Sequence, residues 1–337
     1  MKKLFLSCLL LMCAVATFAQ PPVYLFSYFT GNSTDGLHLA YSTDGLKWEA
    51  LNNNRSFLKP EIGKAKLMRD PSICRAPDGT FHIVWTSGWT DRVIGYASSK
   101  DLIHWSEQIA VPVMVHEPTA RNCWAPELFY DEPSKTYYIC WATTIPGRHK
   151  KVQAGDSEKG LNHRIYCVTT KDFKLFSETR LFFDPDFNVI DAAIVKDRNG
   201  ELLMFVKNEN ANPPEKNIRV TKTGDITDGF PTEVSGPITG DYWAEGPAPL
   251  VVGDYIYLYF DMYRDRKYGA VRTKDGVNWE DVSHLVSFPQ GVRHGSAFTV
   301  DRGVLGWLLK PAAEEAKPEK EEKPDEAATE TPSGAPE

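Results

Sequence analysis

Five times along the chain an apolar run ends in Ser or Thr, with an aspartate close behind. In four of the five an aromatic residue follows four positions later. The copies read AYSTDGLKW, GYASSKDLIHW, YCVTTKDFKLF, the degenerate VTKTGDITDGF, and AVRTKDGVNW. Their aspartates are Asp44, Asp101, Asp172, Asp225 and Asp275, spaced 57, 71, 53 and 50 residues apart. Self-similarity of this kind means that one supersecondary unit recurs and that neighbouring copies bury each other's faces.

A second series interleaves with the first. Short strand starts occur at RDPSICRA, WAPELFYD, IDAAIVKD, AEGPAPLVV and HGSAFTVD, near residues 69, 124, 190, 244 and 294. Each of the first four leads through a turn into a strong apolar strand such as TFHIVWTS, TYYICWATT, ELLMFVK or YIYLYFDMY, bounded by Gly, Asp, Asn and Pro. A first strand with a polar mouth, a core strand, and a strand ending in the Asp-to-aromatic turn make one blade of a β-propeller. Five units predict an all-β, five-bladed propeller. The chain opens on VYLFSYF with no first strand before it and reaches HGSAFTV with no turn motif after it. The C-terminal strand is therefore expected to complete the N-terminal blade. Trp48, Trp105 and Trp279 read as packing between blades.

Two flanking segments stand apart. Lys2 and Lys3 precede an apolar stretch from Leu4 to about Ala16, and Ala19 offers a cleavage point, so residues 1–20 read as a secretory signal peptide. A periplasmic or secreted product is expected; Cys13 after Met12 is a poor match to a lipoprotein site. Residues 311–337, rich in Pro, Ala, Glu and Lys, cannot bury enough apolar surface to order and are expected to be disordered. The tail carries −6 and the leader +2, so of the formal −7 only −3 belongs to residues 21–310, which argues against a nucleic-acid partner. Four cysteines remain there, Cys74, Cys123, Cys140 and Cys167, which could pair in three ways. None has metal-ligand spacing, and their apolar settings favour buried free thiols. A monomer is expected.

In RDPSICRAPDG the proline cannot donate to a ladder, which places Asp70 at a strand mouth. Innermost strands line a propeller's axial channel, so residues at their mouths converge. Asp70, Asp191 and Glu245 head three of the five. DPSICR, WAPEL, IDAAIVKD, EGPAPL and RHGS, in this order and spacing, closely resemble the signatures of glycoside hydrolase family 43 across essentially all of residues 22–310. That resemblance implies a five-bladed propeller that hydrolyses arabinose- or xylose-containing plant polysaccharides with inversion. It makes Asp70 the general base, Asp191 the pKa modulator and orienter, and Glu245 the general acid. Inversion needs an ionised and a protonated carboxyl roughly 6.5–9.5 Å apart. The charge of Asp191 is expected to raise the pKa of Glu245 and keep it protonated.

Trp89 and Trp124 are expected to wall the pocket, with core packing as the alternative. Glu127, at the second mouth where the family commonly has Asp, and Glu209 could bind sugar hydroxyls or serve as rim ion-pair partners. Arg293 could contact substrate or pair with an acid. His294 aligns with the histidine that in relatives points to a water-coordinated calcium or sodium in the channel; no cofactor is required for the chemistry. Asp191-Ala192 departs from the family's usual Asp-Pro. The leading expectation is an exo-acting α-L-arabinofuranosidase, with β-xylosidase, galactofuranosidase or a non-catalytic glycan-binding propeller as alternatives. Fructoside-cleaving propellers share an Arg-Asp-Pro motif, but their Asn-Asp-Pro nucleophile and Glu-Cys acid are missing. The insertion PGRHKKVQAGDSEKGLNHR would lengthen a loop that closes the pocket if it walls the mouth.

Overall fold

The computed structural model describes residues 21–31, 33–149 and 158–310. The expected signal peptide, the acidic tail and part of the third unit's insertion lie outside them. Five antiparallel sheets form a ring. Blade I comprises β1 (Val23–Phe29), β2 (His38–Ser42) and β3 (Glu49–Ala50). Blade II comprises β4 (Arg69–Arg75), β5 (Phe81–Thr86), β6 (Ile94–Ser99) and β7 (Ile109–Val111). Blade III comprises β8 (Trp124–Asp131), β9 (Thr136–Thr144), β10 (His163–Thr170) and β11 (Arg180–Phe183). Blade IV comprises β12 (Val189–Lys196), β13 (Leu202–Asn208) and β14 (Asn217–Thr223). Blade V comprises β15 (Glu245–Val252), β16 (Tyr255–Met262), β17 (Lys267–Thr273) and β18 (Glu280–Asp281). The last strand, β19 (Arg293–Val300), returns to blade I as its innermost strand and pairs with β1 from Val23↔Val300 to Ser27↔Ser296. The ring closes as the sequence predicts.

The second strands read as continuous apolar runs because each is packed on both sides. Side chains alternate across a strand, so Val23 and Leu25 of β1 enter the core shared with blade II, while Tyr24, Phe26 and Tyr28 enter the core shared with blade V. The same alternation sends Tyr137, Ile139 and Trp141 of β9 toward blade II and Tyr138, Cys140 and Ala142 toward blade IV. Trp48 stacks on Phe288 and meets Tyr259 edge-on, and Trp279 meets Phe205 of blade IV edge-on. The repeat aspartates prove to be turn-builders. Asp44 Oδ1 accepts the N–H groups of Leu46 and Lys47, and Asp101, Asp172 and Asp275 each accept the N–H groups two and three residues on. The degenerate fourth copy coincides with the blade that has three strands among the described residues.

Cys74, Cys123, Cys140 and Cys167 are free thiols, with Cys140 directly opposite Cys167 across β9 and β10. At the closure, Gly295 lies so close to β1 that an added Cβ would stand 1.7 Å from the Ser27 carbonyl oxygen. Backbone cannot give way as a flexible side chain can. Gly295→Ala should therefore destabilise the fold by about 3 kcal/mol, lowering the melting temperature by about 6 °C or more. Calorimetry of the two proteins checks this, and an unchanged melting temperature would mean that the closure is not a tight contact.

Candidate functional site

All five inner strands carry the same irregularity at the same place. In β4 the pairing jumps from Arg69↔Thr86 to Ser72↔Val84, three residues against two. The equivalent jumps run from Trp124 to Glu127, from Ile190 to Ala193, from Glu245 to Ala248, and from Arg293 to Ser296. Such a bulge re-aims side chains at a strand end. Its second residue adopts left-handed backbone in four blades: Asp70 (φ 52°), Ala125 (φ 48°), Asp191 (φ 56°) and Gly246 (φ 61°). Asp tolerates this region better than most residues. Asp70 and Asp191 thus hold the same repeat position, whereas Glu245 stands one residue earlier, level with Arg69 and Arg293.

The three acids gather around His294. Its Nδ1 lies 3.4 Å from Asp70 Oδ1 and 3.8 Å from Asp191 Oδ2. Thr86 Oγ1 donates to Asp70 Oδ2 at 2.8 Å and accepts the Ala125 N–H at 2.8 Å. Asp191 Oδ2 accepts the Gly246 N–H at 3.0 Å. Gly246 is required there because a Cβ would stand 2.5 Å from the His294 ring.

Side chains at the ends of the second strands, which sequence reasoning missed, complete the site. Lys207 of β13 sits 3.1 Å from Glu245 Oε2 and 2.7 Å from Glu209 Oε2. Asp261 of β16 holds Arg293 Nε at 2.6 Å, and Arg293 in turn lies 3.4 Å from Glu245 Oε1. Lys207 and Asp261 each interrupt an apolar run, and charged residues are rarely buried unless paired. That was the signal available in VKNEN and YFDMY.

These cations overturn one expectation. Burial pushes Glu245 up, but Lys207, His294 and Arg293 together outweigh it and hold the carboxyl below its ordinary range. Asp191 is the carboxyl that rises, to about 6, through burial and the neighbouring charges of Glu245 and Asp70, against His294 and Lys207. Burial likewise lifts Asp261 to about 6. His294 is raised because Asp191, Asp70 and Glu245 outweigh its burial.

Trp89 and Trp124 meet at a right angle, ring centres 5.8 Å apart, with the Trp124 indole N–H donating to the Trp89 carbonyl at 3.0 Å. Trp89 is 53% exposed. Glu209 is gripped between Lys207 and Lys216, the latter at 2.7 Å. Glu127 lies deeper than the mouth, where it accepts from Ser72 at 2.8 Å and lines a channel cavity of about 380 Å³ with Ile73, Leu128, Ile194 and Ser296. Burial there pushes its carboxyl to about 7. Among the described residues no group of three His, Cys, Asp or Glu side chains is arranged to hold a metal ion. His294 Nδ1 is turned to the carboxylates of Asp70 and Asp191.

Fold and site together define a five-bladed β-propeller with a carboxylate-lined axial mouth. The family model described as a probable glycosyl hydrolase domain, a relative of glycosyl hydrolase family 43, matches residues 21–303, and the chain belongs to this family. A search of curated proteins found no match. Among solved structures, a thermostable family-43 glycoside hydrolase superposes with a TM-score of 0.50 at 17% identity, covering 67% of this chain and 78% of that one. The GH43 BlXynB protein of Bacillus licheniformis gives 0.48 at 19% identity, covering 64% and 41%. An α-L-arabinofuranosidase from Lactobacillus brevis gives 0.47 at 16%, covering 64% and 72%. The chain thus spans about two fifths of the Bacillus licheniformis protein.

The raised Asp191 carboxyl makes a stability prediction. The folded state keeps a proton on Asp191 up to about pH 6, while the unfolded chain loses it near the ordinary value. Ionisation of Asp191 therefore costs stability progressively between about pH 4 and pH 6. Asp191→Asn mimics the protonated form and keeps an acceptor for the Gly246 N–H. Relative to wild type it should gain stability across that window, by about 3 kcal/mol at neutral pH. Urea unfolding as a function of pH measures the difference, and a gap independent of pH would contradict the burial of an ionisable carboxyl.

Proposed function

We propose that the chain is an exported, inverting glycoside hydrolase that removes terminal sugars, foremost α-L-arabinofuranosyl units, from plant cell-wall polysaccharide side chains. The observation that carries this reading is the convergence of Asp70, Asp191 and Glu245, from blades II, IV and V, upon His294 at one end of the channel. The apolar leader with its two lysines supports export.

Inverting hydrolysis uses one carboxylate to activate water and one carboxylic acid, across the sugar ring, to protonate the leaving oxygen. Asp70 takes the first role, its carboxylate fixed by Thr86 on one oxygen and facing His294 with the other. Glu245 takes the second, with the longer side chain. In the free protein Lys207 holds Glu245 ionised, so protonation must accompany substrate binding. A sugar that displaces water from the mouth raises the cost of the charged form. Lys207 keeps Glu209 as a counter-ion when Glu245 takes up a proton. Asp191 and Glu245 titrate as interacting sites, and the raised carboxyl of Asp191 keeps a proton within the cluster up to about pH 6. The two carboxyl groups suffice for this chemistry, and no step runs through a channel cation.

Glu245→Gln should lower hydrolysis of natural glycosides about 10²–10⁴-fold. It should spare substrates with acidic phenol leaving groups, which depart without protonation. Asp70→Asn should be inactive on both kinds. Proton NMR of the first product should show inversion; retention would require a nucleophile and remove Asp70 from its role.

Lys207 supplies a separate handle. Lys207→Met removes the charge that holds Glu245 down, so the basic limb of the pH–rate profile should move to higher pH, while Lys207→Arg should leave it in place. A basic limb unmoved by Lys207→Met would show that some other group limits activity at high pH.

A further inference from the structure

Arg69 and Arg293 occupy the same position in the repeat, the residue that leads the bulge of an inner strand. Each meets the second-strand end of the preceding blade. For Arg293 that residue is Asp261, which neutralises it at 2.6 Å. For Arg69 it is Phe29, whose ring lies 4.5 Å from the guanidinium carbon. Aromatic Phe29 therefore stands where blade V supplies a carboxylate. The Trp89 ring also lies 4.5 Å from the Arg69 guanidinium carbon. Among the described residues no carboxylate lies within ion-pair distance of Arg69, and its side chain makes one hydrogen bond, to Ser33 Oγ at 3.2 Å.

We infer that Arg69, Trp89 and Trp124 form a subsite for a carboxylate-bearing sugar, a uronic acid residue of an acidic polysaccharide. Held against two aromatic rings and free of a carboxylate partner among the described residues, the guanidinium keeps a planar fork of N–H donors that matches a carboxylate bidentately. The exposed Trp89 ring, fixed at a right angle to Trp124, offers an apolar wall to the C–H face of a pyranose ring. Arg69 directly precedes Asp70, so the subsite adjoins the carboxylates that flank the reacting bond. A neutral sugar would leave the one uncompensated cation of this wall without a counter-charge. The inference rests on the glycoside hydrolase reading for its sugar class, and binding tests it without hydrolysis.

The test compares two disaccharides that differ only in the carboxylate: glucuronosyl-xylose and its carboxyl-reduced counterpart. Each is titrated calorimetrically into the Glu245→Gln protein. The acidic sugar should bind about tenfold more tightly or better, as expected for a charge-assisted contact. Arg69→Met in the same background should abolish the preference, and Arg69→Lys, which keeps the charge without the fork, should retain part of it. Equal affinities, no binding of either sugar, or a preference that survives Arg69→Met overturns the subsite. Should Arg69→Met fail to fold, the paired titration of the Glu245→Gln protein still decides. Failure of the hydrolase reading would appear elsewhere, as wild-type protein that releases no sugar from any glycoside.

Discussion

At the head of every inner strand three residues advance against two on the neighbouring strand, and the mouth of the propeller depends on that extra residue. A regular strand would alternate its side chains between the two flanking cores. The bulge breaks the alternation, and left-handed backbone at Asp70 and Asp191 turns two carboxylates onto the axis instead. Such conformations cost of order 1–3 kcal/mol each and persist where the surroundings fix them. Here the fixing groups are Thr86 on Asp70 and the Gly246 N–H on Asp191.

The ring supports its mouth by handing contacts from blade to blade. The end of each second strand faces the next blade, because it continues the alternation of the core beneath it. Phe29 thereby meets Arg69, Thr86 accepts the Ala125 N–H, Ala142 packs in the same core as Ile190, Lys207 meets Glu245 and Asp261 meets Arg293. The electrostatics of the site follow from this handover. Three acids at one point would repel, and the buried Lys207 with the partly buried Arg293 and His294 compensates them. The same cations decide which carboxyl keeps its proton, lowering Glu245 while burial lifts Asp191.

Much of the fold was legible because the repeat is written twice, once in the Asp-centred turns and once in the strand starts. The turn aspartates act locally, on N–H groups two and three residues away, so their meaning survives without tertiary context. The site was legible only in part. Asp70, Asp191 and Glu245 carried strand-start signals, but nothing local distinguishes Glu127, which lies deeper in the channel, from an acid at the mouth. Lys207 and Asp261 were visible as charges inside apolar strands, yet their partners lie 38 and 32 residues away. Without those partners the charge on Glu245 could only be argued from its acidic neighbours, which gave the wrong direction.

The sequence by itself determined the number of blades, the strand order within them and the closure of the last strand on the first, because each rests on short-range periodicity and on a missing half-unit at either end. It also named the three acids. Tertiary structure alone decided that Asp70 and Asp191 share a bulge position while Glu245 does not, that His294 stands among them, and that Arg69 faces an aromatic ring where Arg293 faces a carboxylate. These are relations between neighbouring blades. A one-residue shift in the head of a strand changes which side chain reaches the axis, and only the packed ring fixes it.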